Sequence, residues 1–260
     1  MYDAFSRYAL YWVPTPELAL SRFGLDWTGW CAESGEHIRR RPIAGIAQSQ
    51  GLSAGGLSRH GLHGVLAAPF SLAPGRNVWA LEQAVDHVAG TSAAIRVAQL
   101  RPAMVGQRIA LVPHRPIEML DGLIGRVRAG LYGLTALEPA DERRGRRSGF
   151  GLGPAKTGSA LSSDRFHIPL TDPIVPERID RAMAVVEALL ERLRLSPFRI
   201  ADLALMGDPG GGRPLRILRR YGLSGSEAEI SPFGGLETRG PQLLAGLVER
   251  RPKSQGFCFG

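Results

Sequence analysis

The sequence predicts a duplicated, two-lobed α+β domain, and three observations carry that expectation. The pattern apolar-His-x-x-Leu-x-x-Pro occurs twice, as Leu62-His63-Gly64-Val65-Leu66-Ala67-Ala68-Pro69 and as Phe166-His167-Ile168-Pro169-Leu170-Thr171-Asp172-Pro173. Each copy is followed by an apolar stripe at helical spacing and then by two strand-like runs. The composition, 44% hydrophobic and 22% charged over 260 residues, is that of a globular chain long enough for one large core or two small ones.

The elements follow in chain order. Tyr8 to Val13 reads as an opening strand, ended by Pro14 and Pro16. After the first histidine copy, Pro74-Gly75 marks a turn. Leu81, Ala84, Val85 and Val88 then share one helix face. Ile95–Leu100 and Arg108–Val112 read as strands. Ile117, Leu120, Leu123, Ile124, Val127 and Leu131 mark another amphipathic helix, and residues 138–163, polar and rich in glycine and arginine, read as a mobile loop.

After the second copy, Pro176 suits the first turn of a helix whose stripe is Ile179, Met183, Val186, Leu190 and Leu193. Phe198–Met206 reads as a strand, residues 207–212 as a glycine-rich turn and Leu215–Leu218 as the returning strand. Each half is therefore expected to run strand(His)–helix–strand–strand. The two-lobed domain is expected over residues 1–221, with 222–260 as a C-terminal extension.

Composition narrows the function classes. The formal net charge is +8, and of 32 basic residues only Lys156 and Lys253 are lysine. Arginine's planar donor fork suits phosphate, so an anionic ligand is expected. No basic stripe interleaved with aromatics accompanies the charge, which disfavours nucleic acid. Two cysteines, Cys31 and Cys258, build neither a disulfide framework nor a zinc site. No apolar run approaches the ~20 residues of a membrane helix, and the first residues do not read as a signal peptide. A cytoplasmic protein without metal or cofactor, and without a membrane partner, is the expectation.

Two equivalent histidines in a shared cleft can divide the cleavage of a phosphodiester. With an unperturbed pKa of ~6.5, one ring can be neutral and take the proton of the attacking oxygen. The other, protonated, gives one to the leaving oxygen. By strand parity, Arg59 shares a face with His63, and Arg165 and Thr171 share one with His167. These three are the candidate phosphate ligands. His60 has the opposite parity and is expected to point away.

The stretches Arg59–Phe70 and Asp164–Thr171 resemble the two signature strands of the two-histidine (2H) phosphoesterase superfamily. The likeness is closer to the branch associated with phosphonate utilisation, a family of unknown function. Arg7–Tyr11 and Pro214–Leu218 also resemble that branch. The resemblance implies two antiparallel sheets flanking a central cleft with helices outside. It further implies metal-independent cleavage of a phosphodiester or cyclic phosphate, with His63 and His167 as general base and acid. A small phosphorylated metabolite in phosphonate catabolism is the implied substrate.

In the superfamily a hydroxyl follows each histidine by two positions, and here Val65 and Pro169 stand there. Such donors are worth roughly 3 kcal/mol each. Thr171 has the parity to substitute for one. A non-catalytic descendant that binds a phosphorylated ligand or a partner is therefore one alternative. Processing of RNA 2′,3′-cyclic phosphate ends is another.

Overall fold

The computed structural model describes residues 5–40, 57–136 and 165–226. The expected loop at 138–163 lies outside the described residues, as does the expected extension beyond residue 226. The chain opens with strand β1 (Arg7–Trp12), helix α1 (Ala19–Thr28) and a short hairpin, β2 (Trp30–Cys31) with β3 (Glu36–His37). Strand β4 (Gly64–Phe70) and helix α2 (Val78–Gly90) follow. Strands β5 (Ile95–Val97), β6 (Leu100–Val105) and β7 (Arg108–Pro113) then lead to helix α3 (Glu118–Leu131). The last part holds β8 (Ile168–Pro169), α4 (Ile179–Leu193), β9 (Phe198–Ile200), β10 (Asp202–Asp208) and β11 (Arg216–Gly222).

The strands form two antiparallel sheets, ordered β11-β10-β1-β4 and β6-β7-β8, joined by the pair β5-β9. The fold is α+β and duplicated, but the repeat begins one strand earlier than the sequence reading places it. β1 and β7 are the central strands of their sheets, and each is followed by a helix. The unit is strand–helix–strand(His)–helix–strand–strand, with β11 as an extra edge strand.

The registers confirm this alignment. Arg7 pairs with Asp208, Ala9 with Met206 and Tyr11 with Ala204. In the other sheet Arg108 pairs with Val105, Ala110 with Ala103 and Val112 with Arg101, the same offsets throughout. The sequence carries the matching signal in Arg7-Tyr8-Ala9-Leu10 against Arg108-Ile109-Ala110-Leu111. A second signal is Ile95-Arg96-Val97-Ala98 against Phe198-Arg199-Ile200-Ala201. Arg96 and Arg199, equivalent by that match, pair with each other where β5 meets β9. A local twofold axis passes through them.

Each sheet buries one face under helices, and its other face carries a separate, smaller apolar cluster. Along β1, Leu10 and Trp12 join the helix-side core, while Ala9, Tyr11 and Val13 join a second cluster with Trp30, Met206 and Leu215. Along β7, Ile109 and Leu111 join the helix-side core, and Ala110 and Val112 pack with Ala103 and Val105. Alternation of side chains along a strand produces this division. Helix α2 starts at Asn77, whose side chain accepts the Ala80 N–H at 3.0 Å.

Helix α1 is not among the elements expected from the sequence. Its buried Leu20, Phe23, Gly24 and Trp27 stand at helical spacing and are the available signal. The expected single strand Phe198–Met206 breaks at Ala201, because its first residues pair with β5 and the rest cross into the first sheet. The turn at 209–212 is a hairpin turn, with Gly210, Gly211 and Gly212 all at positive φ.

Candidate active site at the junction of the two halves

His63 and His167 each stand one residue before the strand that bears their motif, β4 and β8. The Nδ1 of His63 lies 2.8 Å from the carbonyl of Gly61, and the Nδ1 of His167 lies 2.8 Å from the carbonyl of Arg165. A carbonyl only accepts, so Nδ1 carries the proton in both rings and Nε2 is the basic nitrogen. The two halves thus fix the same tautomer by the same contact, two residues upstream.

The histidine strands meet directly. The Val65 N–H donates to the His167 carbonyl at 2.9 Å. Gly64 lies against the ring of Phe166 so closely that a Cβ there would overlap it. The reciprocal bond, from residue 169 to His63, cannot form because Pro169 has no N–H. β8 is accordingly a two-residue edge strand, as the proline requires.

Surroundings differ sharply between the rings. His63 is fully buried, with Tyr11 stacked on it at 4.1 Å between centroids and His60 at 5.4 Å. The Tyr11 phenol lies 3.0 Å from Nδ1 of His60. His60 therefore packs against His63 instead of pointing away. The parity argument does not apply there, because residues 57–59 form a 3-10 turn and Gly61 has φ +68°. Burial, followed by the nearby His60, holds the His63 pKa well below the ordinary value; His167 and Arg108 add to the effect. Burial pushes His60 down to about 4.

His167 is also depressed by burial and by Arg108, against the opposing pull of its carbonyl contact. His167, however, lines a cavity with Arg101, His114, Arg115 and Arg165. The position that Tyr11 fills over His63 is held in this half by Val112, whose smaller side chain forms part of the cavity wall.

The other expected site residues lie as follows. Arg59 reaches Asp208 at 3.7 Å and donates to the Arg213 carbonyl at 3.2 Å on the first-lobe side. Arg165 lines the His167 cavity, 3.7 Å from Asp121. Thr171 is buried, and its Oγ1 accepts the Ile109 N–H at 3.0 Å.

Sequence reasoning missed the two arginines that open the central strands. Arg7 donates to the Pro69 carbonyl at 2.7 Å, and Arg108 donates to the Thr171 carbonyl at 3.1 Å. Each ties the far end of its histidine strand to the central strand of the same sheet. Their shared Arg-x-Ala-Leu context was the signal. Asp172 adds a link between halves, accepting from Arg108 at 3.3 Å and from the Leu57 N–H at 3.2 Å.

A family model described as a protein of unknown function, DUF1045, matches residues 65–216, more than half of the sequence. The chain belongs to the DUF1045 family. The match starts two residues after His63 and includes His167. Among curated proteins, a ribose 1,5-bisphosphate phosphokinase, PhnN, of Janthinobacterium sp. (strain Marseille) is 26% identical over 248 residues. That similarity covers 90% of the DUF1045 chain and 54% of the relative, so the chain spans about half the length of the curated protein it matches.

Among solved structures, E. coli LigT complexed with 3′-AMP is 13% identical, covering 85% of this chain and 99% of that one at a TM-score of 0.42. A Thermus thermophilus protein has the same coverage at 14% identity and a TM-score of 0.42. No helix among the described residues is long and apolar enough to cross a membrane.

Proposed function

We propose that this DUF1045 chain is a phosphoesterase of the two-histidine type, cleaving a phosphodiester or cyclic phosphate in a small phosphorylated metabolite. The observation that carries the reading is the equivalence of His63 and His167. They occupy matched positions in the two halves and share one tautomer. Their strands are joined through the Val65–His167 hydrogen bond. Two basic Nε2 atoms carried on strands that join about a local twofold axis suit a reaction that moves one proton on and one off.

Burial and the neighbouring cations favour the neutral form of both rings in the free protein. Tyr11 and His60 must move off His63 for a phosphate to reach both rings; its negative charge then raises both pKa values, so one ring protonates as the ligand binds. That ring serves as the acid and its neutral counterpart as the base. No step needs a metal or cofactor. The catalytic unit falls within residues 1–221.

A phosphorylated sugar is the substrate class we favour, with phosphonate catabolism as the setting. A curated relative that the chain matches over about half its length is named for ribose 1,5-bisphosphate, and that name supports the choice. A second reading, a descendant that binds without turning over, is favoured by Val65 and Pro169 at the two hydroxyl positions. Turnover of cyclic phosphodiesters by wild type, His63→Ala and His167→Ala separates the two. Loss in both variants is expected; background rates in all three would leave only the binding protein.

A further inference from the structure

The cavity beside His167 breaks the symmetry of the molecule in charge. Arg101, Arg115 and Arg165 stand at its rim. Its one carboxylate is Asp121, which lies near Arg165. Arg101 and Arg115 have no ion-pair partner among the described residues. Its floor is apolar, formed by Val105, Val112, Leu120 and Phe166.

In the first half the positions equivalent to Arg101, Arg115 and Arg165 are Ala204, Pro14 and Gly61. The position equivalent to Val105 is Asp208. Three cations on one side therefore face none at the same places on the other, where a carboxylate stands instead. His63 is not among the residues that line this cavity. Of the two motif histidines, therefore, an anion held by the rim arginines meets His167 alone.

Resting on the phosphoesterase reading above, we infer that this cavity is a second anion subsite. It takes a phosphomonoester carried by the substrate in addition to the phosphate that reacts. The apolar floor receives the carbon body and the arginine forks receive the outer phosphate. The substrate is thereby a small molecule with two phosphate groups. It is held in one orientation, with the doubly charged end toward His167. A pseudo-symmetric cleft by itself would accept either orientation.

Calorimetric binding to the full chain tests this without requiring turnover. The probes are ribose 5-phosphate and ribose. Wild type should bind ribose 5-phosphate at least tenfold more tightly than ribose, with affinity that falls as salt is raised. Arg101→Ala/Arg115→Ala should weaken ribose 5-phosphate at least tenfold, and Arg115→Gln alone should weaken it several-fold. Arg181→Ala, on the exposed face of α4, should bind like wild type. Equal affinity for the two probes, or rim variants indistinguishable from wild type, would overturn the inference. Binding that follows this pattern in a chain with no diesterase activity would support the subsite and count against hydrolysis alone.

Discussion

The first half seals its histidine and the second leaves its histidine beside a cavity, although both rings are held by the same backbone contact. Tyr11 and His60 stack over His63, whereas Val112 stands where Tyr11 would be and His167 lines open space edged by arginine. Duplication supplied one geometry twice. Substitution on the inner faces then gave the copies different environments. The backbone contact that sets the tautomer is insensitive to those side chains. Access and charge follow those side chains and, around His60, the turn that carries it.

The largest expected effect tests the shared part. Replacing either His63 or His167 by alanine should lower turnover of a cyclic phosphodiester about 100- to 10,000-fold, measured as kcat/KM. Similar losses in both would show that the sealed ring and the open ring act as one pair. A loss confined to His167→Ala would show that only the open half does chemistry.

Next is the contact between halves. Gly64→Ala forces a methyl into the Phe166 ring, which is itself buried and set beside Trp12, so the ring can yield only by disturbing the core. It should cost about 1–3 kcal/mol in a urea titration. A loss below about 0.5 kcal/mol, the size of an ordinary surface substitution, would mean the halves can part at this point.

Tyr11→Val makes the first half imitate the second. It removes a fully buried ring, so roughly 3 kcal/mol of stability should go with it. Reaction of His63 with diethyl pyrocarbonate, followed by peptide mapping, should accelerate toward the rate of His167. An unchanged rate would show that something besides Tyr11 seals the first half.

The last test concerns pH. His60, His63 and His167 all have folded pKa values below the unfolded ~6.5. The unfolded chain therefore binds more protons than the folded one below that pH. Their stabilising contribution is complete above ~6.5 and is lost as pH falls, for His60 down to about 4. Each ring should contribute up to about 1.4 kcal/mol per pH unit between those limits. Urea midpoints at pH 7, 6 and 5 should fall in step. His60→Gln should flatten the slope by about one proton, and a flat profile in wild type would contradict the buried neutral state.

Much of this molecule is legible without its coordinates. Helix stripes and strand alternation are local, so α2, α3, α4, β1, β7 and β11 are read near their observed places. Pro169 announces an edge strand or a local irregularity, because a missing N–H cannot join a ladder, and the structure shows the edge. The histidine motif, taken alone, misplaces the repeat frame. The Arg-x-Ala-Leu and Arg-x-Ala matches, which mark the true start and the axis, lie in the same sequence. Parity fails around Arg59 and His60 because a 3-10 turn and a positive-φ glycine interrupt the strand that parity assumes.

What the sequence determined by itself was the inventory: two histidines in matching contexts, the elements that carry them, and a surplus of arginine. The tertiary structure alone decided which strands neighbour one another across a hundred residues. It decided that Val65 reaches His167, that Tyr11 covers one ring, and that three arginines gather on one side. The reason is physical. Hydrogen bonding and periodicity within an element depend on residues a few positions apart. Burial, stacking and electrostatic coupling depend on distances through space, which become defined only when the two halves close on each other.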